Sequence, residues 1–164
     1  MSKKTKDSYK QAEFNNIVDN TLTLIEFLDK ANNNNVDLFV GIHFNAFNGS
    51  AYGTEVFTYG GKELPEAIRV LNNLANWGYA SRCKLGNNIH IRDGFSIYIL
   101  RNTKMKSMLM KCCFCDNKAD MAKFDAEKMS GAIVKGLVDK LAEKPQTNTK
   151  DNLYRVQVGA FRNK

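Results

Sequence analysis

Long hydrophobic runs, paired cysteines and basic clusters are all missing from this chain of 164 residues, and each absence removes a class of protein. No stretch approaches the run of about 18 apolar residues that a membrane span requires. The opening Met1-Ser2-Lys3-Lys4-Thr5-Lys6-Asp7 is basic, but no apolar h-region follows it. A secretory signal is therefore not expected, and the chain reads as cytoplasmic as synthesised. Cysteine occurs at positions 83, 112, 113 and 115, three of the four inside one Cys-Cys-Phe-Cys run. That run is no disulfide framework, and a zinc ribbon would need a second Cys-x-x-Cys pair. Buried small hydrophobes in a reduced compartment is the expectation. The formal charge of +7 suits an anionic partner such as an acidic wall polymer. The lysines are scattered, however, with no basic helix and no aromatic-basic interleaving, so nucleic acid is not the expected partner.

What is present is an ordinary globular composition, 43% hydrophobic and 25% charged, in a length that buries one sizeable core. Residues 1–12 are polar and lysine-rich. Asn20 or Thr21 offers an N-cap to a helix carrying Leu22, Ile25, Leu28 and Ala31, which the run Asn32-Asn33-Asn34-Asn35 ends. The segment from Val36 to Asn45 is apolar on both alternating faces until His43 and Asn45, which marks a central strand covered by helices. Its polar C-terminal end is where open α/β sheets bind ligands. Gly53–Tyr59 reads as a second strand, stopped by Gly60-Gly61. Pro65 suits the first turn of a helix with Leu64, Ile68, Leu71 and Ala75 on one stripe. The stretch from Arg82 to Gly94 reads as loop, Ser96–Leu100 and Met108–Phe114 as strands. From Lys118 to Leu141 the pattern is helical, with Met129, Ile133, Leu137 and Leu141 in one row and Asp125 as a cap after a short break. Residues 144–152 are a polar linker, and Tyr154–Phe161 alternates like a strand. The alternation of strands and helices predicts an α/β fold with a mostly parallel sheet flanked by helices.

Several of these segments, in this order, resemble one family. Asp37-Leu38-Phe39-Val40-Gly41-Ile42-His43-Phe44-Asn45-Ala46 is similar to the signature strand of the zinc-dependent N-acetylmuramoyl-L-alanine amidases of the amidase-3 type. Gly53-Thr54-Glu55-Val56-Phe57 follows at the expected distance, and Cys112-Cys113-Phe114-Cys115-Asp116-Asn117 resembles the strand-to-helix turn near the family's C-terminus. The resemblance implies a domain of the lysis or autolysin kind that degrades peptidoglycan at the bacterial cell wall. The bond cut would be the amide between the lactyl group of muramic acid and the first L-alanine of the stem peptide. It further implies one zinc on a histidine, a glutamate and a second histidine, with a glutamate on a late strand as general base.

Carried over residue by residue, the resemblance makes His43 the second zinc histidine; Asn45 and Glu55 are expected to be substrate-binding residues of the groove. The first histidine and the glutamate ligand belong upstream of the segment beginning near Glu13, and no residues of that pattern stand there. The chain is accordingly expected to lack the first β-α unit. The late-strand glutamate corresponds to Lys111, whose ammonium offers donors and no acceptor and cannot take a proton from water. Zinc is thus expected to bind weakly or not at all, with hydrolysis impaired. The alternatives are a non-catalytic peptidoglycan-binding protein or a gene fragment without function. His90, in a stretch longer than the family's usual loop, is expected to be a surface histidine. The tail from residue 153 to 164 resembles the first strand of a SPOR domain, after a partial amidase domain over 13–143 and the linker 144–152.

Overall fold

A computed structural model describes residues 24–34, 36–85 and 88–138. The polar segment 1–12, the caps at Asn20 and Thr21, Glu13, Leu141, the linker 144–152 and the SPOR-like tail all lie outside these residues. The expected loss of a first β-α unit concerns the same undescribed N-terminal stretch. The chain divides into two compact units, one of residues 1–39 with 102–106, the other of 40–101 with 107–164.

In the first unit, helix α1 (24–33) stops within the asparagine run as expected. Asn34 turns its side chain back to the carbonyl of Lys30 at 2.6 Å, which satisfies one of the acceptors a helix leaves open at its C-terminus. Asn32 holds the crossing segment from both ends of its amide, donating to the Asn102 carbonyl at 3.0 Å and accepting from the Lys104 amide at 2.9 Å. Leu28 is buried, and Phe27 meets Phe39 edge-on with ring centroids 5.5 Å apart.

A four-stranded sheet organises the second unit, with only Leu38, Phe39 and Lys106 of its strands counted in the first. Its strands are β1 (Leu38–Asn45), β2 (Glu55–Thr58), β5 (Arg92–Asp93) and β6 (Lys106–Phe114), in the order β1-β6-β2-β5. β2 runs parallel to β5 and antiparallel to β6. Gly41 lies beside Leu109, and Asn45 accepts from the Cys115 amide at 2.8 Å. The contacts advance together along both strands, so β1 and β6 are parallel and the mixed sheet is mostly so. Among the described strands β1 stands at the end of the order, not at its centre, and most of it is only half-buried.

Helix α2 (Pro65–Asn76) starts at its proline and buries Ala67, Val70, Leu71 and Leu74. That stripe is rotated from the expected one: Leu64 and Leu71 are buried, but Ile68 and Ala75 are only partly covered. It packs against α5 (Ala126–Val138), whose Met129 and Ile133 are buried. Arg69 donates to the Gly136 carbonyl at 2.8 Å and Asn73 to that of Ala132 at 3.0 Å. Asp125 caps α5 as expected, accepting from the Lys128 amide at 2.9 Å. The expected break separates α5 from a short α4 (Lys118–Met121), capped by Asn117 through the amides of Ala119 and Asp120.

Two segments differ from their sequence reading. The supposed loop 82–94 contains β5 and a small antiparallel pair, β3 (Lys84–Leu85) with β4 (Asn88–Ile89). Ser96–Leu100 is no strand; the chain there enters helix α3 (Tyr98–Asn102). Local turn chemistry overrides the β-branched pattern. Asp93 accepts from the Phe95 amide at 2.8 Å, and the Ile97 amide then reaches the Gly94 carbonyl at 2.9 Å. Among the described residues no helix is long and apolar enough to cross a membrane.

Candidate functional site

The polar end of β1, the start of β2 and the end of β6 lie together at one edge of the sheet. Two buried acids fix the connections between them. Asp120, fully buried, accepts from the Gly53 amide at 2.7 Å and the Phe114 amide at 3.0 Å, tying the approach to β2 onto the end of β6. Gly53 has a φ of 102°, and a Cβ there would sit 2.2 Å from the Ala80 carbonyl oxygen, so only glycine fits. Glu55, 6% exposed, is the second acid.

Glu55 stands in register with Lys111 across the β2–β6 pair. Directly opposed residues of an antiparallel pair share a face, so both side chains rise from the same side of the sheet. The Glu55 carboxylate does not go to Lys111. Its Oε1 accepts from Asn45 Nδ2 at 2.6 Å; its Oε2 accepts from Arg92 Nη1 at 2.6 Å and from Arg82 Nε at 3.4 Å. Arg92 lies over the Phe57 ring with its guanidinium carbon 5.8 Å from the centroid, and Arg82 lies over Phe114 at 5.1 Å. These rings hold the guanidinium planes while desolvating one face of each. A buried carboxylate with these donors is satisfied; removing Arg92 would take away its shorter ion pair and leave it Arg82 and Asn45.

His43 occupies the same face of β1. Burial first, and the nearby Lys111 ammonium second, hold its imidazole below the ordinary value, which favours the neutral ring. The structure thus brings Asn45 and Glu55 into contact, and places Lys111 opposite Glu55 and close to His43. His90 is exposed and lies in the segment of β3 and β4, its amide donating to the Cys83 carbonyl at 2.9 Å. Sequence reasoning missed Arg82 and Arg92, because both fell in a stretch read as loop. Of the cysteines, Cys83, Cys112 and Cys113 are buried and Cys115 is exposed, all as free thiols.

This arrangement defines an α/β domain with its polar groups gathered where two parallel strands end. Residues 2–143 match the amidase-3 family, described as N-acetylmuramoyl-L-alanine amidase, and the chain belongs to that family. It is 30% identical over 159 residues to the N-acetylmuramoyl-L-alanine amidase CwlM of Bacillus licheniformis, covering 89% of this chain and 56% of that protein. An uncharacterized cell wall amidase of Bacillus anthracis is 34% identical over 143 residues, 82% of this chain and 26% of the other. Among solved structures, the catalytic domain of the CD27L endolysin targeting Clostridia difficile superposes with a TM-score of 0.62 at 27% identity, covering 75% of this chain and 66% of that one. The chain spans 26%, 58% and 34% of the length of three of the curated relatives it matches.

Family membership implies descent from zinc amidases. The described residues do not fit that metal. No three of their His, Cys, Asp and Glu side chains gather into a ligand set. Both Glu55 oxygens are engaged by Asn45 and the arginines, and an ammonium lies near His43. A cation there opposes a second cation electrostatically.

Proposed function

We propose that this chain is a peptidoglycan-directed domain of the amidase family, acting at the cell wall, in which hydrolysis of the lactyl to L-alanine amide is impaired. The observation that carries the reading is the position of Lys111, in register with Glu55 and near enough to His43 to depress its basicity. By resemblance this is where the family places its general base. A charged lysine holds donors and no acceptor there, so it can bind a ligand oxygen but cannot deprotonate water. The network of Asn45, Glu55, Arg82 and Arg92 supports a retained binding edge rather than a fragment without a role.

The test joins two measurements on the full chain. Co-sedimentation with insoluble peptidoglycan is expected to retain the protein in the pellet. Incubation with muropeptides in micromolar zinc is expected to release stem peptide at no more than the buffer rate. Zinc-dependent release would overturn the impairment; a protein that stays in the supernatant would overturn the assignment to peptidoglycan.

A further inference from the structure

The charges at this edge of the sheet do not balance. Lys111, Arg82 and Arg92 bring three cations to one carboxylate, that of Glu55. Glu55 is spent on the two guanidiniums and the Asn45 amide. Among the described residues no carboxylate lies within ion-pair distance of the Lys111 ammonium. The two arginines remain 38% and 41% exposed. Each guanidinium has five N–H donors, of which the Glu55 contacts use few. The ammonium adds three more from a half-buried position on β6.

We propose that this edge is an oxyanion site, in which Lys111 together with Arg92 and Arg82 takes a free carboxylate of an acidic peptide. The inference rests on the reading that the domain engages peptidoglycan, and it names the part of that polymer recognised: the stem peptide, through its carboxyl groups. Three features select this ligand. A cluster whose cations outnumber its carboxylate carries a net positive field that draws an anion in. Guanidinium forks bind carboxylates bidentately with charge-assisted hydrogen bonds. Beside the cluster, the approach to β2 presents Tyr52 at 55% exposure, its carbonyl accepting from Arg82 at 3.3 Å. Apolar surface against a cationic centre suits an organic carboxylate better than a bare inorganic anion. The substitution that removes the general base would thereby turn the position from a proton acceptor into an anchor for the substrate's own negative charge.

The experiment measures binding of an acidic stem peptide with its carboxyl groups free, beside the same peptide with those groups amidated. Titration calorimetry on the full chain at low salt would serve, and peptidoglycan co-sedimentation would run in parallel. The free peptide is expected to bind roughly tenfold to a hundredfold more tightly, as one or two charge-assisted hydrogen bonds imply. Lys111→Met should erase most of that difference, and exposed Lys118→Met should leave it intact. Arg92→Gln should also weaken binding. If that variant does not fold, Lys111→Met still tests the proposal, because Lys111 supports no described ion pair. Peptidoglycan binding without discrimination between the two peptides would overturn this inference and leave the proposed function standing. Loss of peptidoglycan binding by the unmodified protein would overturn both. Competition by inorganic phosphate at least as strong as by acetate would overturn the assignment to a carboxylate.

Discussion

Alanine placed at Gly131 and at Gly136 should shift stability in opposite directions, although both glycines lie in α5. Gly131 is exposed, and a Cβ built there meets nothing within 4 Å. Its replacement therefore gains only helix propensity, about 0.5–1 kcal/mol. Gly136 is buried, and its Cβ would lie 2.5 Å from Val70 Cγ2, 2.7 Å from Val70 N and 2.8 Å from Val70 Cα. Two of those atoms are backbone, so no rotamer change relieves the overlap and the helices must separate. Overpacking of this kind costs about 1–3 kcal/mol. Separation also stretches the Arg69 and Asn73 hydrogen bonds to α5, worth about 0.5–1.5 kcal/mol each. After the propensity gain, the net loss is about 2 kcal/mol, which places the two variants roughly 3 kcal/mol apart. Urea denaturation followed by circular dichroism reads this directly. With a slope near 2 kcal/mol/M, the midpoints should differ by roughly 1.5 M at unchanged slope. A Gly136→Ala protein as stable as Gly131→Ala would refute the close packing of α2 on α5.

Three further outcomes follow from the site and its surroundings. Lys111→Glu alone is expected to leave stem-peptide release at background, since the described residues gather no metal ligand set; zinc-dependent turnover by this variant would show a more complete one. The His43 pKa lies below its unfolded value of 6.5, so the unfolded chain takes the proton first. Its titration costs no stability well above pH 6.5 and destabilises increasingly as pH falls towards the folded-state pKa. Removing the nearby cation in Lys111→Met should raise the His43 pKa in an NMR titration while burial keeps it below 6.5, and an unmoved pKa would contradict their proximity. Burial pushes the Cys112 and Cys113 thiols up to about 12, leaving roughly one part in ten thousand as thiolate at pH 8. A disulfide reagent should therefore titrate Cys115 quickly and Cys83, Cys112 and Cys113 only after urea is added; fast reaction of more than one thiol would sink this.

The elements legible in the sequence are those whose burial is set by their own periodicity or caps. β1 announces itself through a run apolar on both faces, β2 and β6 through short apolar stretches, α2 through Pro65, and α5 through Asp125 and the row from Met129. Strands of two residues carry no periodicity, so β3, β4 and β5 could not be read. β5 exists because Phe57 and Thr58 pair with Arg92 and Asp93, a contact defined by the sheet rather than by its own composition. That same pairing brings Arg92 to Glu55, which is why the two arginines stayed out of a sequence reading that singled out His43, Asn45, Glu55 and Lys111. The helix at α3 was misread because Ile97, Tyr98 and Ile99 favour a strand in isolation, whereas the turn from Asp93 to Gly94 directs the chain into a helix.

The place of β6 in the sheet has a consequence for biosynthesis. It is the last of these strands to be made, yet it lies between β1 and β2. Until residues up to Phe114 have left the ribosome, β1 and β2 each have an unfilled hydrogen-bonding edge facing where β6 will go. Such edges are templates for pairing with other chains, and closing them requires contacts far apart in sequence, which form slowly. Insertion of one late strand thus closes both of these inner edges, and in the same event delivers Lys111 to its position opposite Glu55.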